Sequence, residues 1–474
     1  MKFRWMEGVK MKKNGFTLIE ILAVIALLGA IMLLVVPNIT KNFKDSKKRL
    51  FYDNVISLYS SAGRSFLLSG SQTGKTFSND GDALDAEVSA DVTYKIIINS
   101  FGEITSIYVS NGTYTYSKSG SNITKKDIKL EDVIENTSLD NTPDIPSDDG
   151  TLLSRILIDN PTRLTRSDFS KAFTTTNTGT LYTSTESIAG ATPKTVYYFA
   201  GNAKNNWVKI GIYYWRIIRT NHDGSIRLLF SGTSTDTTKG YLGKYGYNTS
   251  TNSPKYVGYM YGNTDSTLDE IRGNDARSNA YGLLSNWFVQ TVNSKYSNYL
   301  SKDAVYCNDR ELASGYSYSL NGNFYFKAYD RLEKSKNPTY DCTNNKDAFS
   351  LNNTETKFTL AVGLMTADEV IFAGGSVAEE LSYPFTWYYN NATDGQSIID
   401  ADGFWTMTPS DYNTGAADMY YVNYSVLNGG LGADGVNLSN IAVRPVTSLK
   451  SCILWSKGDG SATSPYEIVE NGGC

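Results

Sequence analysis

FTLIEILAVIALLGAIMLLVV, residues 16–36, is the stretch on which the reading of the whole 474-residue chain turns. At about 1.5 Å per helical residue, a run of this length crosses a hydrocarbon core of about 30 Å. A plain anchor or an ordinary secretory signal accounts for the length but not for Glu20. A carboxylate inside an apolar run costs about 2.5–3.5 kcal/mol at a helix centre and less nearer its end. The run also ends in Val35-Val36-Pro37-Asn38, without the small-residue cleavage site of a secretory signal, and continues as helix-like sequence. Charge counting does not orient it. Residues 1–15 carry five basic and one acidic side chain, and residues 41–49 carry five basic against Asp45.

Lys12-Lys13-Asn14-Gly15 stands directly before the run, followed by Phe16-Thr17-Leu18-Ile19-Glu20. In these residues the chain resembles the type IV prepilins and pseudopilins. The resemblance implies cleavage by a prepilin peptidase between Gly15 and Phe16, which makes residues 1–15 a leader peptide. It further implies methylation of the new Phe16 amine, and an assembly role for Glu20 with Thr17 beside it and Pro37 as the helix-breaking proline. The physics agrees: a carboxylate and a free amine are each costly in lipid, and pairing Glu20 with a neighbouring subunit's Phe16 amine relieves both. The implied partners are the peptidase, other pilin subunits, the pilus assembly platform and, through residues 16–36, the membrane. The implied location is a single-pass membrane protein with a cytoplasmic N-terminus before processing, and afterwards an extracellular filament of the type IV pilus or type II secretion kind.

Downstream, Ile39, Phe43, Leu50, Val55, Leu58, Ala62 and Phe66 recur at three- to five-residue steps, the pattern of a helix with one buried stripe running to about residue 70. The β-rich runs 92–99, 102–111 and 113–118, separated by turns at Ser100-Phe101-Gly102 and Asn111-Gly112, predict a three-stranded antiparallel sheet. Together these make a pilin-like module over residues 16–118. Residues 131–149 hold seven acidic side chains and no basic one, with Pro143 and Pro146, so residues 119–150 are expected to be an acidic linker.

Residues 151–474 form the second module, where most of the 34 tyrosines and 40 glycines fall among short β-like runs and turn signals. The expected fold is α+β: a long hydrophobic helix with a small antiparallel sheet, then a larger, mostly-β domain with a few helices. Within the second module, 208–232 reads as a hairpin closed at Asp223-Gly224, with Val208, Ile210, Ile212 and Tyr214 on one face. His222 falls at its tip as an exposed turn residue. Residues 281–300 space Leu284, Trp287, Phe288, Val292, Tyr296 and Tyr299 as an amphipathic helix. LAVGL (360–364) reads as an apolar strand, followed by a Thr366/Glu369 capping box and a short helix stopped at Gly374-Gly375. Runs 404–410, 418–426 and 441–450 read as strands. This ordered set, with the CNDR segment at Cys307–Arg310, is similar to a module of Gram-positive cell surfaces and through it to the C-type-lectin-like fold.

Chemistry is narrowed by what the sequence contains. One histidine, His222, excludes histidine triads and two-histidine zinc sites within the chain. Net charge −4 and a pI near 5.4 argue against nucleic acid as a partner. The four cysteines, Cys307, Cys342, Cys452 and Cys474, form no CxxC and suit disulfides outside the cytosol; of the three pairings, Cys307–Cys342 and Cys452–Cys474 each close a local loop. Aspartates next to a glycine, Asp82, Asp223, Asp402 and Asp434, complete no calcium loop and read as turns, so no metal or cofactor is expected. Trp387, Tyr388 and Tyr389, with Trp405 and Tyr412, are the candidate flat faces for a glycan or protein ligand beside Asn390 and Asn391. Arg444 before Pro445 reads as an ion-pair or hydrogen-bond donor. Carboxylates such as Glu369, Asp400 and Asp402 form no recognisable catalytic pair. The expected function is therefore non-enzymatic: a minor or tip filament subunit presenting a large adhesive domain. The alternatives are a competence pseudopilin aiding DNA uptake and a surface-tethered enzyme acting on polysaccharide.

Overall fold

The computed structural model describes residues 45–135 and 149–473, apart from 72, 80, 90–91, 112, 174, 236–239, 378–385, 390–402 and 424–429. Gly15, Phe16, Thr17, Glu20 and Pro37 lie outside these residues, as do Cys474, Asn390, Asn391, Asp400 and Asp402. The described chain forms two compact units, one over 45–116 and 120–135, the other from 149 onward.

In the first unit, helix α1 over 45–69 places Phe51, Val55, Leu58, Ala62 and Phe66 at steps of three and four, and all five are buried. Leu50, expected in this stripe, is 60% exposed; Phe51 holds the core position instead. Gly70 ends the helix at φ 60°, a left-handed conformation that only glycine adopts without penalty. The stripe packs on a five-stranded sheet in sequence order: β1 Lys75–Ser78, β2 Thr93–Ile98, β3 Ile104–Ser110, β4 Tyr114–Ser119 and β5 Ile134–Glu135. Strict alternation buries Tyr94, Ile96 and Ile98 of β2. The Asn111 carboxamide accepts from the backbone of Thr113 and Tyr114 at 3.2 and 2.8 Å and shapes the β3–β4 turn.

Two strands more than expected are present, and the linker is shorter than 119–150. Residues 120–135 fold back onto this unit through two 3₁₀ turns, bury Ile123, Ile128 and Val133, and pair β5 with β4 at Thr115↔Ile134 and Tyr114↔Glu135. The linker reading passes over three apolar residues spaced five apart, enough to hold a short segment on an existing core.

The second unit is mostly β. Its larger sheet runs in the order Ile453–Lys457, Tyr466–Gly473, Trp207–Ile210, Tyr213–Thr220, Lys194–Tyr198, Thr180–Glu186, Thr162–Leu164, and Ile226–Phe230 with Val446–Leu449 branches from Tyr213–Thr220. A second sheet orders Phe324–Tyr325, Phe404–Asn413, Ala416–Val422 and Leu431–Gly435. One hydrophobic core spans both.

The 208–232 region is two hairpins. Gly211, at φ 59°, turns the chain before Tyr213, so Val208 and Ile210 are buried while Ile212 is 68% exposed. The predicted 281–300 helix is the helix Asn279–Phe288, continued by a π turn at Val289–Asn293 and shorter turns to Tyr299. Residues 360–364 form no strand and make only an isolated bridge, Gly363↔Val446. Arg444 donates to the carbonyls of Gly240, Tyr388 and Phe230 at 2.9, 2.6 and 2.9 Å, pinning three separate backbone segments.

The disulfide Cys307–Cys342 closes a loop with a sequence separation of 35. Cys452 is disulfide-bonded as well. Breaking the first bridge with Cys307→Ser/Cys342→Ser frees the unfolded chain and is expected to cost about 3–4 kcal/mol. Chemical denaturation of the oxidised protein and the double variant measures it, and equal midpoints would refute the estimate.

Candidate functional site

The helix Ala367–Phe372 starts at Thr366, whose hydroxyl accepts from Glu369 N at 3.1 Å while the Glu369 carboxylate accepts from Thr366 N at 3.0 Å. The capping box turns Glu369 into the core, where its Oε1 meets Arg219 Nε at 2.9 Å and Arg227 Nε at 2.6 Å. Arg219 also reaches Glu186 Oε1 at 2.9 Å. All four side chains are buried. Burial disfavours the charges, yet Arg219 holds Glu186 well below the usual carboxylate range, at about 2, and Glu186 and Glu369 raise Arg219.

A second set adjoins it. Arg331 bridges Asp309 Oδ2 at 2.6 Å and both Asp368 oxygens at 3.0 and 2.9 Å. Glu186, Arg219, Asp309, Arg331, Tyr340 and Asp368 line a cavity of about 20 Å³ next to Cys307. That is room for about one water molecule and not for a sugar ring. A third set holds the CNDR segment: Asp347 takes Arg310 Nε at 2.7 Å and Arg272 Nε at 2.9 Å, and Arg310 further donates to Met260 O, Ile271 O and Asn274 Oδ1. These networks tie distant strands and loops together with every charge opposed. Their geometry serves rigidity: it brings no two unopposed carboxylates together for acid–base work.

His222 is not a free turn residue. Its backbone N–H donates to Glu186 Oε2, and Nδ1 lies 3.4 Å from the same oxygen. Asp223 beside it receives Ser225 Oγ and Ser301 Oγ. Burial disfavours the imidazolium, but the Glu186 hydrogen bond and charge, with Asp223, outweigh it and Arg219, so the His222 pKa is raised. A raised histidine stabilises the fold fully below its unfolded pKa, about 6.5, and that contribution fades as pH rises through the higher folded value. His222→Gln is therefore expected to flatten the fall in melting temperature between pH 6 and pH 8. Parallel melting curves for both proteins across that range would refute it.

The aromatic candidates are core. Trp387, Tyr388 and Trp405 are 1%, 0% and 0% exposed, and Tyr389 and Tyr412 are also buried. The indole N–H groups are spent on carbonyls, Trp387 on Phe199 and Trp405 on Tyr245, at 2.9 and 2.8 Å. Trp387 packs edge-on against Tyr388, Tyr388 against Phe404 and Trp405 against Tyr421, which leaves no flat face for a ligand. Sequence density of aromatics cannot separate a stacking platform from a core, and here volume filling decided.

Of the aspartate–glycine positions, Asp82 pairs with Lys75 at 2.9 Å and Asp434 accepts its own Gly435 N–H at 2.8 Å. Among the described residues no group of three or more metal-ligating side chains gathers. Burial, with Asp411 and Asp434 nearby, pushes the Asp418 carboxyl up to about 6.

Residues 10–36 match the family model described as the prokaryotic N-terminal methylation motif. The match covers Gly15, Phe16, Thr17 and Glu20, and it supports a type IV pilin-like signal at these positions. The motif implies processing by a prepilin peptidase and supports a pilin- or pseudopilin-like, membrane-anchored surface subunit. Among the curated proteins and among the solved structures, nothing matches the chain. Among the described residues no helix is long and apolar enough to cross a membrane, and the 16–36 run lies outside them.

Proposed function

We propose that the chain is a minor or tip subunit of a type IV pilus or type II secretion-like filament, cleaved after Gly15 and methylated at Phe16, and that its second unit is an adhesive, non-enzymatic module with a C-type-lectin-like architecture. The observation that carries the reading is the methylation motif at 10–36, followed in the same chain by a helix-on-sheet unit and then a much larger β unit. A subunit that packs along a shaft needs little beyond the helix and sheet, so the extra mass favours an end position. Disulfide bonding in the large unit fits life outside the cytosol.

With the tryptophans in the core, ligand contacts are assigned elsewhere. The ligand face is placed on the surface of the second unit, where the connections between strands are the usual sites of binding residues. Immunolabelling of filaments tests the position: signal confined to ends supports it, and uniform labelling along the shaft overturns it. Oxidised residues 149–474 on a broad glycan array test adhesion. A reproducible, salt-insensitive glycan set is expected, and a blank array from folded protein would overturn the glycan reading.

A further inference from the structure

On the filament reading, any pull on the second unit enters at Asp149 and Gly150, its first described residues. What they hold onto is the other end of the chain. Gly150 O accepts from Trp455 N at 2.9 Å, and Thr151 bridges Leu454 in antiparallel register. Thr151 then caps the helix Leu152–Asp159, on which the Arg155 guanidinium lies 4.7 Å over the Trp455 ring and pairs with Asp159. Asp159 Oδ2 in turn accepts from Tyr466 Oη at 3.0 Å. Trp455 pairs with Ile468 in the C-terminal hairpin, and Tyr466 of the same hairpin pairs in parallel with Val208 of the main sheet. An eight-residue helix is marginal by itself, so its hold rests on buried Leu152 and Ile156 and on this hairpin.

We propose that the hairpin Ile453–Lys457 and Tyr466–Gly473 is a mechanical lock on the module's tether, through which tension from the filament passes into the main sheet instead of peeling away the first helix. The inference rests on the filament reading for its purpose, while the lock itself is a property of the unit. It makes the entry of the tether and the C-terminal hairpin one junction.

Single-molecule force spectroscopy on the full, oxidised chain in detergent tests it, with one handle at residue 141 and the other at the exposed Asn321 turn. The expected first rupture releases about 4 nm, the length of a dozen residues at about 3.3–3.6 Å each. Trp455→Ala and Tyr466→Phe should each lower the force of that rupture at least twofold and leave later ruptures unchanged. An unaltered first rupture in both variants, or an equal drop in every rupture, would overturn the lock. Filament labelling on the same chain is the independent readout: its absence with the lock intact removes the filament reading alone, and its presence with an unaltered rupture removes the lock alone.

Discussion

Glu369→Ala is expected to lower the stability of the second unit by about 3–5 kcal/mol, a large part of the 5–15 kcal/mol that holds a typical domain. Glu369 is buried and its Oε1 faces two guanidiniums. Alanine leaves Arg219 with Glu186, but it leaves Arg227 with carbonyl partners only, the nearest being Val305 O at 3.0 Å. A guanidinium cannot shed its proton to escape, so the desolvation cost is borne in full. The same change removes half of the capping box at Thr366, worth about 1 kcal/mol more. Glu369→Gln keeps one acceptor oxygen, for either the arginines or the cap but not both, and should fall between alanine and wild type. Urea unfolding of the three proteins gives the ranking, and an alanine variant within about 1 kcal/mol of wild type would mean that the network is dispensable.

The second large effect is on maturation. Gly15→Val should abolish conversion of the precursor, because on the proposed reading the scissile bond follows Gly15 and a branched side chain there obstructs an extended substrate backbone. The expected result is full-length protein retained in the membrane fraction and none in sheared surface material. Glu20→Ala separates cutting from assembly: it should be processed normally but enter filaments poorly, since the Phe16 amine loses its partner carboxylate in lipid. Mature-sized protein from Gly15→Val would show that processing occurs elsewhere.

The sequence was most legible where one physical requirement dominates. A 21-residue apolar run with one glutamate admits few explanations, and the buried stripe from Val55 to Phe66 needed only helical spacing. Leu50 and Phe51 show the limit: adjacent apolar residues lie 100° apart, and only the packed sheet chooses between them. The Gly211 turn hid inside a run that alternates well enough for one long strand, and a positive φ is not visible in composition. The acidic segment was drawn too long because charge is conspicuous and three apolar residues are not.

The charged core was legible only in part. The Thr366/Glu369 cap follows from local spacing, but the partners of Glu369 lie 150 residues away at Arg219, and no local pattern announces them. His222 was misjudged for the same reason, since Glu186 reaches it from a separate strand. Trp387 and Trp405 were offered as ligand faces because an aromatic cluster has the same composition in a core as on a surface; what separates the cases is whether the indole N–H is already bonded inside.

The central claim is that this chain is a processed filament subunit. Mass spectrometry of the N-terminal peptide, taken from filaments sheared off intact cells, tests it most directly. The account predicts a peptide beginning at Phe16 and carrying a single N-methyl group. A peptide beginning at Met1 or Met11, or cleavage beyond Val36, would contradict it.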